Sequence, residues 1–244
     1  MNTQQKIALV TGATRGIGFE TVRQLAESGV HVLLAGRDRD KAVEAALKLQ
    51  SQGLPVEAIA LDVTDAASIA DAANEVERRH GRLDILVNNA GIQIEAFGAK
   101  ASSSPPETWR KVFDTNLFGA IAATQAFLPL LRKSGAGRIV NVSSVLGSLA
   151  INADAASPLY DYKLPAYNTS KAALNAWTLQ LAYELKDGPI KVNTVHPGYV
   201  KTDMNAGEGE LEVSEGAQTS VAMALLGDDG PNGAFRYRDE VLPW

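Results

Sequence analysis

Tyr167 and Lys171 lie four residues apart in a stretch that Pro165 and several alanines mark as helical. That spacing places both side chains on one face of the helix. A phenol has a pKa near 10, and lowering it to about 7 requires roughly 4 kcal/mol of selective stabilisation of the phenolate. A neighbouring ammonium in a partly desolvated pocket supplies part of that stabilisation, and the phenol then serves as a general acid or base. Taken alone, the pair is better explained as a half-buried tyrosine beside a solvated lysine, and the other motifs favour the catalytic interpretation.

A glycine-rich turn, TGATRGIG at residues 11–18, separates a predicted strand from a predicted helix. Glycine lets the backbone turn sharply and approach a ligand closely. The N-terminus of the following helix then offers free N–H groups to a pyrophosphate. The spacing G-x-x-x-G-x-G differs from the common dinucleotide fingerprint G-x-G-x-x-G. Taken alone, the turn is therefore also compatible with a tight loop that binds nothing.

Two arginines near this turn indicate which dinucleotide would bind. An NAD site usually has an acid at the tip of the second strand, but here that strand ends in LAGR, residues 34–37. Arg37, together with Arg15 inside the turn, suits a ribose 2′-phosphate through charge-assisted hydrogen bonds. We therefore expect NADPH or NADP rather than NAD. The alternative is that both arginines are surface charges paired with Asp38 or Asp40.

Ser144 and Asn116 are two further candidates for chemistry. Ser144 follows the fifth predicted strand, where its hydroxyl is able to bond a substrate oxygen and stabilise a developing alkoxide. Its neighbour Ser143 has the same chemistry, but strand alternation sends it to the opposite face. Asn116 lies inside a predicted helix, where asparagine is a poor helix former. A functional role, such as holding a water between Lys171 and solvent, is one explanation, and satisfaction by the local backbone is the other.

No metal site is expected from the sequence. The chain has no cysteine and three histidines, which excludes disulfides, zinc–thiolate sites and a cysteine nucleophile. The histidines are widely separated along the chain. We interpret His31 and His80 as structural, and we expect His196 to shape the turn that begins at Pro197.

The elements that must position these residues alternate regularly. Short apolar runs, typical of parallel strands covered on both faces, are followed by helical patterns. This alternation predicts an α/β fold with a doubly wound sheet, whose ligands bind at the carboxyl ends of the strands. The predicted strands are residues 6–10, 30–34, 56–61, 83–87, 138–142 and 190–195. The predicted helices are residues 17–28, 39–52, 66–80, 107–133 and 166–186.

Length and composition exclude several classes of protein. A chain of 244 residues with 45% hydrophobic and 21% charged residues is suited to one α/β domain and is not a disordered chain. A formal net charge of −5 argues against a general nucleic-acid binder. The sequence has neither a secretory leader pattern nor an apolar run of roughly 20 residues. We therefore expect a cytoplasmic protein that acts on small molecules, without nucleic acid or membrane as partners.

Taken together, the motifs resemble those of the short-chain dehydrogenase/reductase family. They occur in the family's order, over residues 6–204. The matching pieces are TGATRGIG, LDV at 61–63, NNAG at 88–91, FDTNLFG around Asn116, NVSS at 141–144, YNTSK at 167–171 and HPGYVKTDM at 196–204. The resemblance implies that residues 1–244 form a single Rossmann-type domain for both dinucleotide binding and catalysis. It also implies a seven-stranded parallel sheet flanked by helices.

The resemblance further implies a set of site residues. Those implied for catalysis are Asn116, Ser144, Tyr167 and Lys171. Those implied for cofactor binding are Gly12, Thr14, Arg15, Gly16, Ile17, Gly18, Arg37, Asp62, Val63, Asn89, Ala90, Gly91, Tyr167, Lys171, Pro197, Gly198, Val200 and Thr202. Asp62 and Val63 would contact the adenine, and residues 197–202 the nicotinamide end. Local alternatives are a cap role for Asn88 and an N-cap near Thr64 for Asp62.

The sequence departs from the family pattern in the segment before Tyr167. Tyr167 follows Ser144 by 23 residues, about twice the spacing that the resemblance implies. We expect the extra residues, 151–164, to lie over the site or beside the helix of Tyr167, which favours a monomer or homodimer over a tetramer. Tyr160 and Tyr162 would then help to cover a substrate, and a solvated loop without a role is the alternative.

Near the end of the chain, residues 205–216 are rich in glycine and glutamate and are expected to be mobile. We expect no substrate-covering helix after Met204 and therefore an open pocket. Residues 233–244 are expected to supply the seventh strand and a tail, with Trp244 packed on the domain.

These observations predict an NADPH-dependent carbonyl reductase, or an alcohol dehydrogenase in the reverse direction. Hydride would move to a ketone or aldehyde while Tyr167 donates the proton. One alternative is a non-catalytic NADP-binding redox regulator, and another is a reductase acting on an enone or imine. The presence of Tyr167, Lys171, Ser144 and Asn116 argues against the regulator, because a protein that only binds the dinucleotide needs no general acid.

Overall fold

The computed structural model describes residues 5–244. Its eight strands form one sheet in the order β3-β2-β1-β4-β5-β6-β7-β8. The strands are β1 (Ile7–Val10), β2 (His31–Gly36), β3 (Val56–Ala60), β4 (Ile85–Asn88), β5 (Arg138–Val142), β6 (Lys191–Val195), β7 (Phe235–Tyr237) and β8 (Glu240–Val241). The α-helices are α1 (Gly16–Glu27), α2 (Arg39–Gln50), α3 (Ala66–His80), α4 (Pro106–Phe113), α5 (Gly119–Lys133), α6 (Leu149–Ala153), α7 (Pro165–Glu184) and α8 (Val213–Ala224). All six predicted strands are confirmed, with ends that differ by at most two residues.

The sheet differs from the expected seven parallel strands at one edge. Strands β1 to β7 pair in parallel, whereas β8 pairs antiparallel with β7. The reversal occurs over two residues, and the first of them, Arg238, has a left-handed φ of 50°. A turn with positive φ matches the twist of a two-residue hairpin, so the chain folds back and adds an eighth strand.

The central strands are apolar on both faces because helices cover both sides of the sheet. One cluster contains Leu9 and Leu33 of the sheet with residues of α3, α5 and α7, including the fully buried Phe127. The other contains Val10 and Leu34 with residues of α1, α2 and α8. Burial of a leucine or phenylalanine side chain contributes about 1.5–3 kcal/mol. The core therefore fixes the strand register, and with it the positions of the loops at both sheet edges.

The predicted helix over residues 107–133 is correct in extent, but it is interrupted. Helix α4 is followed by a π-helical turn, Asp114–Phe118, before α5 continues to Lys133. Asn116 lies inside this π turn. Single π turns inside α-helices occur frequently at functional sites.

No helix is predicted beyond residue 186, and this expectation is wrong because α8 forms at Val213–Ala224. Glu212 and Glu215 form a reciprocal capping box at its start. The helix packs against α1 and is rich in small residues. One of these is Gly216, where an added Cβ would lie 2.5 Å from Val200 Cγ2. An amphipathic pattern of large apolar residues is therefore absent from the sequence, although the helix is part of the core.

The inserted segment is ordered by contacts at both ends. It contains α6, and its Asn152 donates to the carbonyl oxygens of Leu146 and Ser148. Ala150 donates to the carbonyl of Trp244, whose ring stacks on Phe235 with 5.5 Å between the ring centres. The expected packing of Trp244 on the domain is thus confirmed.

Within residues 5–244, no helix is both long and apolar enough to cross a membrane.

Candidate functional site

The candidate site lies at the carboxyl ends of β1, β4, β5 and β6, where the predicted motifs converge. The loops after β1 and β4 are bonded directly to each other. Thr11 Oγ1 accepts from the backbone N–H groups of Asn89 and Ala90, both at 3.0 Å. Asn89 Nδ2 in turn donates to the carbonyl oxygens of Thr11 at 2.9 Å and Gly12 at 3.1 Å. These bonds bring two sequence-distant motifs, TGATRGIG and NNAG, to one edge of the sheet.

Two of the three glycines of the turn lie where the protein leaves no space for a side chain. A Cβ on Gly12 would lie 2.8 Å from the Cα of Ala90, and one on Gly18 would lie 2.4 Å from Asn89 Nδ2. Gly16 is different, because its φ is 57° and the nearest atom to an added Cβ would be Thr202 Cγ2, at 3.9 Å. Gly16 begins α1, and within residues 5–244 its N-cap, Arg15, makes no side-chain bond to the helix. The first N–H groups of α1 are therefore available to an anionic ligand.

Arg15 does not make the ion pair that the surface-charge alternative predicts. Arg15 makes an exposed ion pair with Asp203 in the loop after β6, at 2.7 Å, rather than with Asp38 or Asp40. Asp38 instead caps α2 by accepting from the N–H groups of Asp40 and Lys41. An exposed ion pair contributes about 0–1 kcal/mol, so Arg15 is able to exchange Asp203 for another anion at little cost. Arg37 is exposed directly after β2.

Asp65, and not Asp62, is the N-cap of α3 and accepts from the N–H of Ala67, so the local alternative is wrong. Asp62 instead forms a local turn with Thr64. Its Oδ1 accepts from both the backbone N–H and the hydroxyl of Thr64, at 2.9 and 2.7 Å. Val63 is buried against Gly119, where an added Cβ would lie 2.8 Å from Val63 Cγ2. The loop after β3 is thus shaped by the packing of α5 beneath it.

Tyr167 and Lys171 both lie in the first two turns of α7, which begins at Pro165 as predicted. Lys171 is 4% exposed, and its Nζ donates to the carbonyl oxygen of Val142 at 2.8 Å. The same Nζ is 5.8 Å from the centre of the Tyr167 ring. An ammonium has three N–H donors, so two remain for other acceptors.

Burial dominates the ionisation of both groups. It lowers the pKa of Lys171 to about 8, and it raises the pKa of Tyr167 above its ordinary value. A hydrogen bond with the Ser144 side chain acts on the pKa of Tyr167 in the opposite direction but does not reverse it. In the protein without a bound dinucleotide, burial therefore dominates the pKa of the phenol, because desolvation penalises the charged phenolate.

The two serines after β5 point to different partners. Ser143 is buried, and its hydroxyl faces the backbone carbonyl of Lys171, at 3.4 Å. Ser144 Oγ accepts from the N–H of Leu146 at 3.1 Å and lies beside the Tyr167 phenol. Ser144 is thus the serine at the site.

Asn116 connects two parts of the site. It is 1% exposed, and its Oδ1 accepts from the N–H of Ile92 at 2.8 Å. Its Nδ2 donates to the carbonyl of Ile92 and to Ser170 Oγ, at 2.9 and 3.0 Å. The amide is therefore engaged with the loop after β4 and with α7. It holds these two elements together rather than being satisfied by neighbouring backbone.

Glu95 belongs to the site although the sequence analysis did not identify it. It is 9% exposed, and its two carboxylate oxygens accept from the backbone N–H groups of Ala166 and Tyr167, at 2.9 and 2.8 Å. A carboxylate at a helix N-terminus satisfies free donors and interacts favourably with the helix dipole. Glu95 is 72 residues before Tyr167, so no local capping pattern could reveal this contact.

His196 shapes the loop after β6, as predicted. Its Nδ1 accepts from the N–H of Val145 at 3.2 Å, which connects this loop to the turn that follows Ser144. Burial lowers the pKa of His196 to about 4, so the ring is neutral at pH 7 and able to accept that bond. The next residues, Pro197 and Gly198, then enter the turn with a φ of 92° at Gly198.

Several large apolar side chains are exposed in segments that follow the strands of the site. Phe97, two residues after Glu95, is 68% exposed and packs edge-on against Tyr162 of the inserted segment, with ring centres 6.0 Å apart. Other exposed large apolar residues at this edge are Ile94 after β4, Leu149 at the start of α6, and Tyr199 and Met204 after β6. Clustered exposure of this kind is typical of a binding surface for an apolar molecule.

The remaining two histidines lie away from this site. His31 and His80 have ring centres 5.3 Å apart, at the opposite edge of the sheet. The expectation that they are too far apart to act together is therefore wrong, because the start of β2 and the end of α3 meet in the fold. Burial lowers the pKa of His80.

Comparisons with known proteins agree with the geometry. The family model described as short chain dehydrogenase matches residues 6–212. A (+)-neomenthol dehydrogenase from Capsicum annuum is 36% identical over 308 aligned positions, covering 98% of each chain. The solved structure of salutaridine reductase from Papaver somniferum superposes with a TM-score of 0.83 at 32% identity, covering 95% of this chain and 99% of that one. NADPH-bound carbonyl reductase from chicken fatty liver superposes with a TM-score of 0.85 at 31% identity, covering 99% and 100%.

The position of Glu95 leads to a testable expectation. Glu95→Gln replaces one acceptor oxygen with an NH₂ group that opposes a backbone donor at the start of α7. We expect the unfolding free energy to fall by about 1–3 kcal/mol. We also expect kcat to fall while the KM for the dinucleotide stays nearly constant, because the change displaces Tyr167 and not the glycine turn. Glu107→Gln, at an exposed glutamate in the first turn of α4, is the matched control. Equal losses in the two variants would contradict a positioning role for Glu95.

Proposed function

The chain belongs to the short-chain dehydrogenase family, and on this basis we propose that it is an NADPH-dependent reductase of apolar ketones with Tyr167 as the proton donor. As a member of this family it is an oxidoreductase that interconverts alcohols and carbonyl compounds. The observation on which the proposal mainly rests is the meeting of Tyr167, Ser144 and the buried Lys171 beside the free N-terminus of α1. We further propose that residues 1–244 act as one dinucleotide-binding and catalytic domain, since each of these groups extends from the same sheet.

The residues at the carboxyl edge fit NADPH. The N-terminus of α1 and the turn at 12–18 would hold the pyrophosphate, and Arg37 with Arg15 would bind the ribose 2′-phosphate. Asp62 and Val63 would lie at the adenine. The segments 89–91 and 197–202 would flank the nicotinamide half. The N-terminus of α1, to which Arg15 makes no side-chain bond, and the two unused donors of Lys171 both support this fit. When bound, NADPH supplies a hydride to the carbonyl carbon.

Tyr167 and Ser144 would bind the substrate carbonyl oxygen from one side. The Ser144 hydroxyl donates a hydrogen bond to that oxygen as it gains negative charge, and Tyr167 transfers its phenolic proton to it. The raised pKa of Tyr167 keeps the phenol protonated before the reaction, which is the form that reduction requires. The Lys171 ammonium then stabilises the phenolate that remains.

Asn116 and Glu95 would act through position rather than by contact with the substrate. Asn116 holds Ser170 on α7 and Ile92 in the loop after β4. Glu95 holds the first N–H groups of α7. Both therefore fix the distance of Tyr167 from the cofactor crevice, and small errors in such distances reduce rates strongly.

The apolar entrance favours a hydrophobic substrate over a sugar or a small acid. Phe97 and Tyr162 offer two aromatic rings at the entrance without a charge between them. Relatives whose names include neomenthol dehydrogenase, isopiperitenone reductase and salutaridine reductase are consistent with apolar ring ketones as the substrate class.

We also propose a monomer or homodimer. The inserted segment lies against the start of α7, where Asn168 donates to the carbonyl of Tyr162 at 2.9 Å. This segment covers part of the surface of α7 near Tyr167. A partner subunit is therefore hindered from packing against that part of the helix.

Removal of the phenolic hydroxyl tests whether Tyr167 is the proton donor. Tyr167→Phe is expected to lower kcat for a panel of cyclic ketones by about 10²–10⁴-fold, while NADPH binds with a nearly unchanged Kd. Tyr183→Phe, which removes an exposed hydroxyl near the other end of α7, is the control and should retain its activity. Full activity in Tyr167→Phe would overturn the assignment. Tight NADPH binding by the unmodified protein without turnover of any carbonyl compound would favour the redox regulator.

The pKa of Lys171 leads to a pH prediction. Because this pKa lies at about 8, raising the pH above that value removes the ammonium from the free protein. The kcat/KM for NADPH reports groups of the free enzyme, and we expect it to decline as the pH rises through about 8. In Lys171→Met, kcat/KM for NADPH should be low and should not decline as the pH rises through about 8. A profile that stays flat from pH 7 to about 10 would contradict the role of the lysine charge.

Cofactor choice is tested by charge reversal at Arg37. Arg37→Asp is expected to raise the KM for NADPH by roughly 10–100-fold, as expected for loss of a charge-assisted hydrogen bond. The KM for NADH should change far less. Arg132→Asp, at an exposed arginine of α5, makes the same change of net charge away from the site. An unchanged ratio of the two KM values in Arg37→Asp would show that this arginine does not select the cofactor.

A further inference from the structure

Three side chains meet at the amino-terminal edge of the sheet, opposite the candidate active site. His31 is the first residue of β2, Glu57 is the second residue of β3, and His80 is the last residue of α3. Leu33 is paired in register with Glu57, and strand alternation places His31 on the same face as Leu33. Helix α3 covers this face, so its C-terminal histidine is brought to the other two residues.

The ligand atoms of these residues converge on a common point. His31 Nε2 lies 3.0 Å from one carboxylate oxygen of Glu57, and His80 Nε2 lies 3.7 Å from the other. All three ligand atoms lie within 4.8 Å of one another. Donor atoms around a tetrahedral Zn²⁺ are separated by roughly 3.3–3.5 Å, given bond lengths of about 2.0–2.1 Å. Small side-chain rotations would therefore bring all three to bonding distance.

Both imidazole nitrogens are buried without a satisfied hydrogen bond. Neither His31 Nε2 nor His80 Nε2 has an aligned hydrogen-bond partner among residues 5–244, despite the nearby Glu57 oxygens. A buried polar nitrogen without a partner is rare and calls for an explanation. The two nitrogens approach the carboxylate, but not in the orientation of a hydrogen bond. This arrangement is expected when all three groups face a shared cation.

We propose that His31, Glu57 and His80 form a binding site for a divalent transition metal, with Zn²⁺ as its preferred ion. Imidazole and carboxylate donors suit zinc, whereas Mg²⁺ and Ca²⁺ prefer oxygen ligands alone. A shallow depression of about 320 Å³ opens beside the histidines, lined also by Gln5, Ile7, Arg79 and Arg82. It leaves room for water as a fourth ligand.

Arg79 holds the carboxylate in place. It bonds one oxygen of Glu57 and also pairs with Glu75 at 2.9 Å. Metal-bound carboxylates are commonly oriented by such outer partners. Glu75 offsets the positive charge of Arg79, and Asp84 does the same for Arg82. The surroundings therefore do not place an uncompensated cation next to the metal.

The position of the site determines what the metal would do. It joins the starts of β2 and β3 to the end of α3, whereas the reaction takes place at the other edge of the sheet. A ligand that binds only the folded state stabilises it by mass action. Zinc would thus stabilise this edge without taking part in hydride or proton transfer, and the site is independent of the proposed activity.

The test is a zinc titration of the full-length protein without a histidine tag, followed by calorimetry and by thermal unfolding. We expect saturation at one equivalent of Zn²⁺ and a higher Tm with Zn²⁺ than with the same concentration of Mg²⁺. The chain has no cysteine, and its third histidine, His196, uses Nδ1 in a backbone bond, so background binding is low.

Variants identify the ligands. The double variant His31→Gln and His80→Gln should lose the saturable binding and the Tm shift. Glu77→Gln, which removes a half-exposed carboxylate of α3 that pairs with Lys133, should retain both. Circular dichroism without metal checks that each variant is folded. Co²⁺ bound to the unmodified protein should give the intense visible absorption of a four-coordinate site. Absence of saturable zinc binding by the unmodified protein, or unchanged binding in the folded double variant, would overturn the proposal.

Discussion

The desolvation of Lys171 is the constraint on which the arrangement of the site depends. Its ammonium is buried beside the end of β5 and the loop after β4, with the Val142 carbonyl as a bonded partner. Such a group is tolerated only where polar atoms surround it. The backbone must therefore approach closely, and a Cβ on Gly147 would lie 2.8 Å from the backbone of Lys171. The turn after Ser144 is held against α7 by this close approach.

Helix α7 is held near its N-terminus from several directions. Asn116 bonds Ser170 from the π turn, and Glu95 accepts from the first N–H groups. His196 bonds the turn after Ser144 from the loop after β6. Three loops at the carboxyl edge thus converge on the two turns of α7 that contain Tyr167 and Lys171. Rigid placement of the proposed proton donor in this way would lower the entropic cost of reaching the reactive geometry.

The same burial shifts the pKa values of Tyr167 and Lys171 in opposite directions. It lowers the pKa of Lys171 and raises that of Tyr167, so that both tend toward their neutral forms. A protonated phenol suits reduction, whereas oxidation of an alcohol needs the phenolate. Any positive charge that enters the crevice would stabilise the phenolate and shift this balance. Without a bound ligand, the phenol is therefore in the protonated form.

Local patterns in the sequence determined the alternation of strands and helices, the glycine turn and the Tyr167–Lys171 pair, because each depends on residues within a few positions of one another. They also determined the family resemblance, since its motifs are short and continuous. Only the tertiary structure decided contacts between residues distant along the chain. Glu95 reaches Tyr167 across 72 residues, and His31, Glu57 and His80 meet from three elements. The pKa of Tyr167 likewise depends on how deeply the fold buries it. Helix α8 was not predicted for a related reason, since its small residues become a core face only when α1 and Val200 are packed against them.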